Sequence, residues 1–116
     1  MDKLDCLFCK IIRGEIPAKK EFENDKVLVF HDITPQAPVH LLLIPKIHIS
    51  STNEIDASNM DYIAEIFRLI PEMAKRMNVF EKGYRIVNNN GHSGGQTVHH
   101  IHFHLLGGRN LTWPPG

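Results

Sequence analysis

Histidine and large apolar residues alternate without a break along His100, Ile101, His102, Phe103, His104 and Leu105, and Leu106 closes the run. A period of two is the period of extended backbone, in which successive side chains leave opposite faces. The spacing therefore predicts a strand over 100–106 that sends Ile101, Phe103 and Leu105 into a core and lines three imidazoles along its other side. Every second residue is roughly 6.6 Å from the last, so neighbouring rings together span about the width of a phosphoryl group and its leaving atom. Side chains that exchange protons near neutral pH, set in such a row, suit nucleophilic or acid–base chemistry.

Other uses of a histidine cluster fit less well or lead elsewhere. A purification tag or a low-complexity metal-binding tract sits at a terminus and does not alternate with Ile, Phe and Leu. All three imidazoles could instead bind one zinc ion, because catalytic zinc sites can use three histidines and keep a position open for water.

The rest of the chain reads as one small α+β domain with a mainly antiparallel sheet. Residues 9–13 form a short helix that Gly14 to Pro17 stop. The short segments 21–23 and 27–30 flank the turn signal Asn24-Asp25, the pattern of a hairpin. After the break at 34–38, Leu41, Leu42, Leu43 and Ile44 form a continuous apolar run ended by Pro45, which predicts a central strand buried on both faces. Ser58 or Asn59 can cap one long helix whose stripe is Ile63, Ile66, Phe67, Ile70, Ala74 and Met77. Pro71 lies within it and predicts a kink or a break. A strand over 84–87 and the histidine strand complete about five strands, separated by the glycine-rich loop 88–95. No linker or repeat divides residues 1–116.

Lysine plus arginine balances aspartate plus glutamate at 13 each, so no net charge steers the chain toward nucleic acid or an anionic membrane. No apolar run reaches the ~18 residues needed to span a bilayer, and the opening residues lack the apolar core of a signal peptide. A soluble, cytoplasmic protein is expected. Cys6 and Cys9 are too close and too few for a secreted disulfide framework.

The run from His100 to Leu106 resembles the signature of the histidine triad family of nucleotide hydrolases and transferases. Phe8 to Pro17, His31 to Pro38, Ile44 to His48, Gly94 to Thr97 and the ending Trp113-Pro114-Pro115-Gly116 are similar to the Hint branch, the nucleoside phosphoramidases. The resemblance implies a homodimer joined through the long helices and a central strand, with 107–116 as a tail reaching toward the partner. It implies that His102 attacks the α-phosphorus and carries the nucleotidyl group, that His104 contacts the phosphate, and that His40 belongs to the network around the triad. By the same resemblance Asn89, Gly95, Gln96 and Thr97 meet the phosphate or leaving group, with Thr97 where the family commonly carries serine. Asp32 then accepts from the ribose hydroxyls, and His31 and Ile33 flank the base. Glycines in 88–97 would let backbone amides face an anion, although Asn-Gly and Gly-Gly also mark ordinary turns.

A lone Cys6/Cys9 pair has the spacing of half a zinc site. The resemblance supplies the other half as His48 and His100, giving a structural zinc that leaves His102 free for chemistry requiring no metal. Two reduced, partly buried thiols are the plainer alternative. The expected function is hydrolysis of purine nucleoside phosphoramidates through a nucleotidyl-His102 intermediate. Two rivals are dinucleoside polyphosphate hydrolysis and a nucleotide- or zinc-binding interaction protein with incidental turnover.

Overall fold

The computed structural model describes residues 3–116, so the first two residues of the expected 1–116 domain lie outside the description. Five strands form one antiparallel sheet in the order β1-β2-β3-β5-β4: β1 Lys20–Glu23, β2 Val27–His31, β3 Val39–Pro45, β4 Tyr84–Val87 and β5 Phe103–Gly107. Among the described residues two helices, α1 Leu7–Ile12 and α2 Met60–Arg76, and one 3-10 turn at Thr52–Glu54 complete the α+β architecture. The hairpin turns where expected: Asn24 Oδ1 accepts from the amides of Lys26 and Val27, both at 2.9 Å.

Alternation along the central strands divides the core between the two faces of the sheet. Val27, Val29, Leu41, Leu43, Phe103 and Leu105 pack with Ile63, Ile66, Leu69, Ile70, Met73 and Ala74 of α2. Leu28, Phe30, Leu42 and Ile44 point the other way, onto Cys6, Phe8, Cys9 and Ile11 around α1. The 41–44 run is buried on both faces, as expected for a strand with helices on either side. A six-residue helix has little stability of its own. α1 is held by its buried side chains and by Cys6, whose sulfur caps it by accepting from the Cys9 amide. That cap starts the helix two residues before the expected 9–13 segment.

Four local expectations are corrected or narrowed. The histidine strand begins at Phe103, not His100, because the register Leu43↔Phe103 would set Ile101 opposite Pro45, which has no N–H to offer a ladder. The Ile101 amide bonds instead to the Ile49 carbonyl at 2.7 Å. Of the kink or break expected at Pro71, the break does not occur: α2 runs on through it, and Pro71 and Phe67, whose carbonyl loses its donor, lie on the exposed side. Asn59 occupies the N-cap position without a capping side-chain bond, since its amide is spent on the Asp56 N–H and the Glu54 carbonyl. The apolar stripe also turns slightly: Leu69 and Met73 are buried, whereas Phe67 is 50% exposed at its edge, its ring against Phe103. Among the described residues no helix is long and apolar enough to cross a membrane.

Candidate active site

All three triad histidines lie toward the α1 side of the sheet, yet they face two different environments. His102 is 5% exposed, its ring edge-on to Phe8 at 5.2 Å and to His104 at 5.0 Å. His102 Nδ1 donates to the His100 carbonyl at 2.8 Å, so in the neutral ring Nε2 keeps its lone pair. Burial lowers the basicity of His102 and so favours the neutral, nucleophilic ring, opposed in part by that backbone bond and by the charge of Asp32. Asn88 steadies the same stretch by donating from Nδ2 to the His102 carbonyl at 2.9 Å, and Thr52 Oγ1 in turn donates to Asn88 Oδ1.

His104 carries the complementary tautomer. The Gln36 amide donates to His40 Nδ1 at 3.0 Å, which puts the His40 proton on Nε2. That proton is given to His104 Nδ1 at 2.8 Å, leaving His104 with its own hydrogen on Nε2. His104 Nε2 is buried and has no hydrogen-bond partner among the described residues. A buried donor without an acceptor is costly unless a ligand supplies one. Burial, with smaller contributions from His102 and His40, pushes His104 down to about 4, so at neutral pH it donates as a neutral imidazole. The site thus offers one imidazole lone pair and one imidazole N–H side by side.

Both rings open on a cleft of about 280 Å³ walled by Leu7, Phe8, Ile11, Ile16, Pro17, Ala18, Phe30 and Leu42, with His31, Asp32, Ile33, Thr34, Thr97 and Val98 at its rim. A mainly apolar cleft with a few polar groups in its lining suits a nucleobase and its sugar phosphate. Asp32 is divided: Oδ1 accepts from the Thr34 amide at 2.8 Å and from Thr34 Oγ1 at 3.1 Å, while Oδ2 lies 3.5 Å from His40 Nε2. It closes a turn and faces the histidines at once.

Four more side chains able to bind a metal gather near α1. Ligand atoms of Cys6, Cys9, His48 and His100 all lie within 4.8 Å of one another. The sulfur–nitrogen separations are 3.4 Å for Cys6 to His100 and 3.6 Å for Cys9 to both His48 and His100. A tetrahedron with Zn–S and Zn–N arms of about 2.3 and 2.05 Å has S···N edges of about 3.6 Å. The set therefore fits a closed zinc site. His100, wholly buried, gives its Nε2 proton to the Pro45 carbonyl at 3.0 Å, which turns the Nδ1 lone pair toward the sulfurs as metal ligation requires. The Lys3 amide donates to Cys9 Sγ at 3.3 Å and the Cys9 amide to Cys6 Sγ at 3.4 Å, so both sulfurs already act as acceptors.

The structure thus gathers His31, Asp32, Ile33, Thr97, His102 and His104 at the cleft, with His40 bonded behind His104. Asn89, Gly95 and Gln96 do not line it. Gln96 is turned inward, accepting from the Gly91 amide at 2.9 Å and donating to the Ser50 and Val98 carbonyls at 2.7 and 3.1 Å, so it braces the glycine loop. Gly95, at φ +84°, takes a conformation other residues rarely adopt in that same turn. Phe8, Gln36 and Asn88 were not singled out from sequence; Phe8 stood inside a recognisable motif, but its contact with His102 is a tertiary one.

A family model described as the HIT domain matches residues 13–111. The crystal structure of a HIT family hydrolase from Legionella pneumophila superposes with a TM-score of 0.94 at 51% identity, covering 97% of this chain and 100% of that one. A 14 kDa zinc-binding protein of Brassica juncea is 46% identical over 97% of this chain and 100% of its own. The adenylylsulfatase HINT1 of Arabidopsis thaliana is 46% identical over 95% of this chain and 76% of its own.

Proposed function

The chain belongs to the HIT domain family, in its Hint branch, and on that premise we propose that it is a nucleoside 5′-phosphoramidase acting on purine nucleoside phosphoramidates. The observation that carries this reading is the opposed pair of tautomers, a lone pair on His102 Nε2 beside a hydrogen on His104 Nε2. His102 Nε2 attacks the α-phosphorus, the P–N bond to the amine breaks as its nitrogen takes up a proton from solvent, the amine departs, and the nucleotidyl group rests on His102. Water then cleaves the new P–N bond and returns the imidazole with the nucleoside monophosphate. Dividing one displacement into two lets a neutral imidazole act as both nucleophile and leaving group. His104 Nε2–H donates a hydrogen bond to a phosphoryl oxygen or to the departing atom, stabilising charge without giving up its proton. His40 positions His104, and His100 positions His102 through its carbonyl.

The nucleoside end follows the cleft: the base lies between the apolar walls beside His31 and Ile33, and Asp32 Oδ2 accepts from the ribose. Thr97 stands at the leaving-group end. Asn89, Gly95 and Gln96 shape the phosphate end through the backbone of the loop they belong to. Cys6, Cys9, His48 and His100 hold a structural zinc, which when bound closes a four-ligand site and ties α1 to the segment before β5. Residues 1–116 act as one HIT domain in a homodimer, with 107–116 as the tail toward the partner.

Kinship with a protein named adenylylsulfatase favours a second substrate, a nucleotide whose α-phosphate is bonded to sulfate. The same attack serves both, because the nucleophile meets only the phosphorus, and sulfate departs without needing a proton. Turnover on a panel of P–N, P–O–S and P–O–P substrates tests the reading. Hydrolysis of phosphoramidates that His102→Ala abolishes, with nucleoside monophosphate binding retained, is the expected result. Near wild-type turnover by His102→Ala would refute it.

A further inference from the structure

β1 and β2 pair as Lys20↔Phe30 and then Phe22↔Val29, so Glu21 is an extra residue on β1. A bulge of this kind re-aims the side chain it displaces. Glu21 Oε1 accordingly accepts from His31 Nε2 at 2.9 Å. Arg76, in the last turn of α2, donates from Nη1 to the Glu21 carbonyl at 2.6 Å and lies 3.5 Å from Oε2, its guanidinium 5.6 Å over the Phe22 ring. The bond from His31 and the contact with Arg76 hold the Glu21 carboxyl below the usual carboxylate range. An ionised carboxylate has no proton to give, so the hydrogen in the pair belongs to His31 Nε2. His31 lines the cleft, and with Nε2 spent, Nδ1 is the ring nitrogen left to a ligand.

We propose that Glu21 is a positioning residue for base recognition: by keeping the His31 proton on Nε2 it presents Nδ1 as an acceptor, favouring a purine with an exocyclic amino group. Adenine offers that hydrogen, whereas hypoxanthine carries a carbonyl in its place. The inference rests on the nucleotide reading of the cleft. Arg76 enters only by fixing Glu21, and the bulge enters by letting a strand residue reach across to the end of β2.

Calorimetric titration of the zinc-loaded full chain with AMP, IMP and ribose 5-phosphate tests it. One hydrogen bond gained against a lone-pair clash gives AMP a preference of roughly tenfold over IMP. In Glu21→Gln the amide can donate or accept, His31 takes either tautomer, and the preference shrinks to within about twofold. Ribose 5-phosphate, which lacks the base, binds both proteins alike. Arg76→Met, which keeps a side chain over Phe22, moves the ratio in the same direction by a smaller factor. An unchanged AMP/IMP ratio in Glu21→Gln, no preference in the wild type, or a proportional loss for all three ligands overturns the proposal. Failure of the wild type to bind any of the three overturns the nucleotide reading itself, whereas tight AMP binding with an unmoved ratio removes only Glu21.

Discussion

Truncating Phe8 separates the support of the nucleophile from the stability of the fold. The ring is buried and meets three others edge-on: Phe30 at 5.5 Å, His100 at 5.8 Å and His102 at 5.2 Å. It is therefore at once a core side chain, a wall of the cleft and the packing surface behind His102. Phe8→Ala removes a buried aromatic from a helix with only six residues to hold it, and should cost about 3–4 kcal/mol. Phe8→Leu keeps most of the volume and should cost about 1–1.5 kcal/mol. Both changes release the His102 ring, whose edge contact is worth about 0.5–1.5 kcal/mol beyond area. Activity should consequently fall in both, by roughly three- to tenfold in kcat/KM, even where the protein is fully folded. Urea unfolding at fixed protomer and zinc concentration gives the stability, and steady-state rates far below the transition give the other number. Wild-type kcat/KM in Phe8→Leu, or a stability loss under 1 kcal/mol in Phe8→Ala, would refute the reasoning.

Acid should destabilise the protein through its neutral buried histidines. His104 is pushed from 6.5 to about 4 in the fold, so below about 6.5 the unfolded chain binds a proton that the native state does not. Stability is full above that pH and falls as pH drops toward 4, by at most about 3 kcal/mol for this group, less for its partial exposure; urea midpoints for His104→Asn should show a shallower fall. Metal analysis of protein purified without chelator should give about one zinc per chain, lost together with thermal stability in the Cys6→Ser, Cys9→Ser double variant; an equally stable, metal-free wild type would favour two plain thiols. Gln96→Glu, nearly isosteric, replaces a donor facing the Ser50 and Val98 carbonyls with an oxygen and should cost about 2–4 kcal/mol by urea unfolding; a cost below 0.5 would mean the loop does not depend on that brace.

Short-range chemistry made much of this protein legible in one dimension. The alternation after His100, the apolar run at 41–44, the Asn24-Asp25 turn and the stripe of α2 each depend on neighbours a few residues apart, and periodicity records those directly. The triad, the cysteine pair and the acidic His31-Asp32 segment were visible as residues of the right kind. Where the local reading slipped, a partner distant in sequence or an unassigned cap decided. Pro45, across the sheet, shortened the histidine strand, and Cys6 began α1 early with its sulfur. The exposed face of α2 absorbed a proline that local rules treat as a stop.

What only the tertiary structure settled is which nitrogen of each imidazole carries the proton. Alone, His100, His102 and His104 are three equivalent side chains, each able to adopt either tautomer. Pro45 and the His100 carbonyl fix two of them, and the Gln36 amide fixes the third through His40, across separations of 55 and 64 residues for the two long-range ring contacts. The bulge that sends Glu21 to His31 is likewise a matter of register between strands, which no residue type announces. Sequence alone determined the inventory of side chains and the local elements that carry them. Hydrogen-bond direction depends on which donor meets which acceptor in space, and that was decided only when the chain closed on itself.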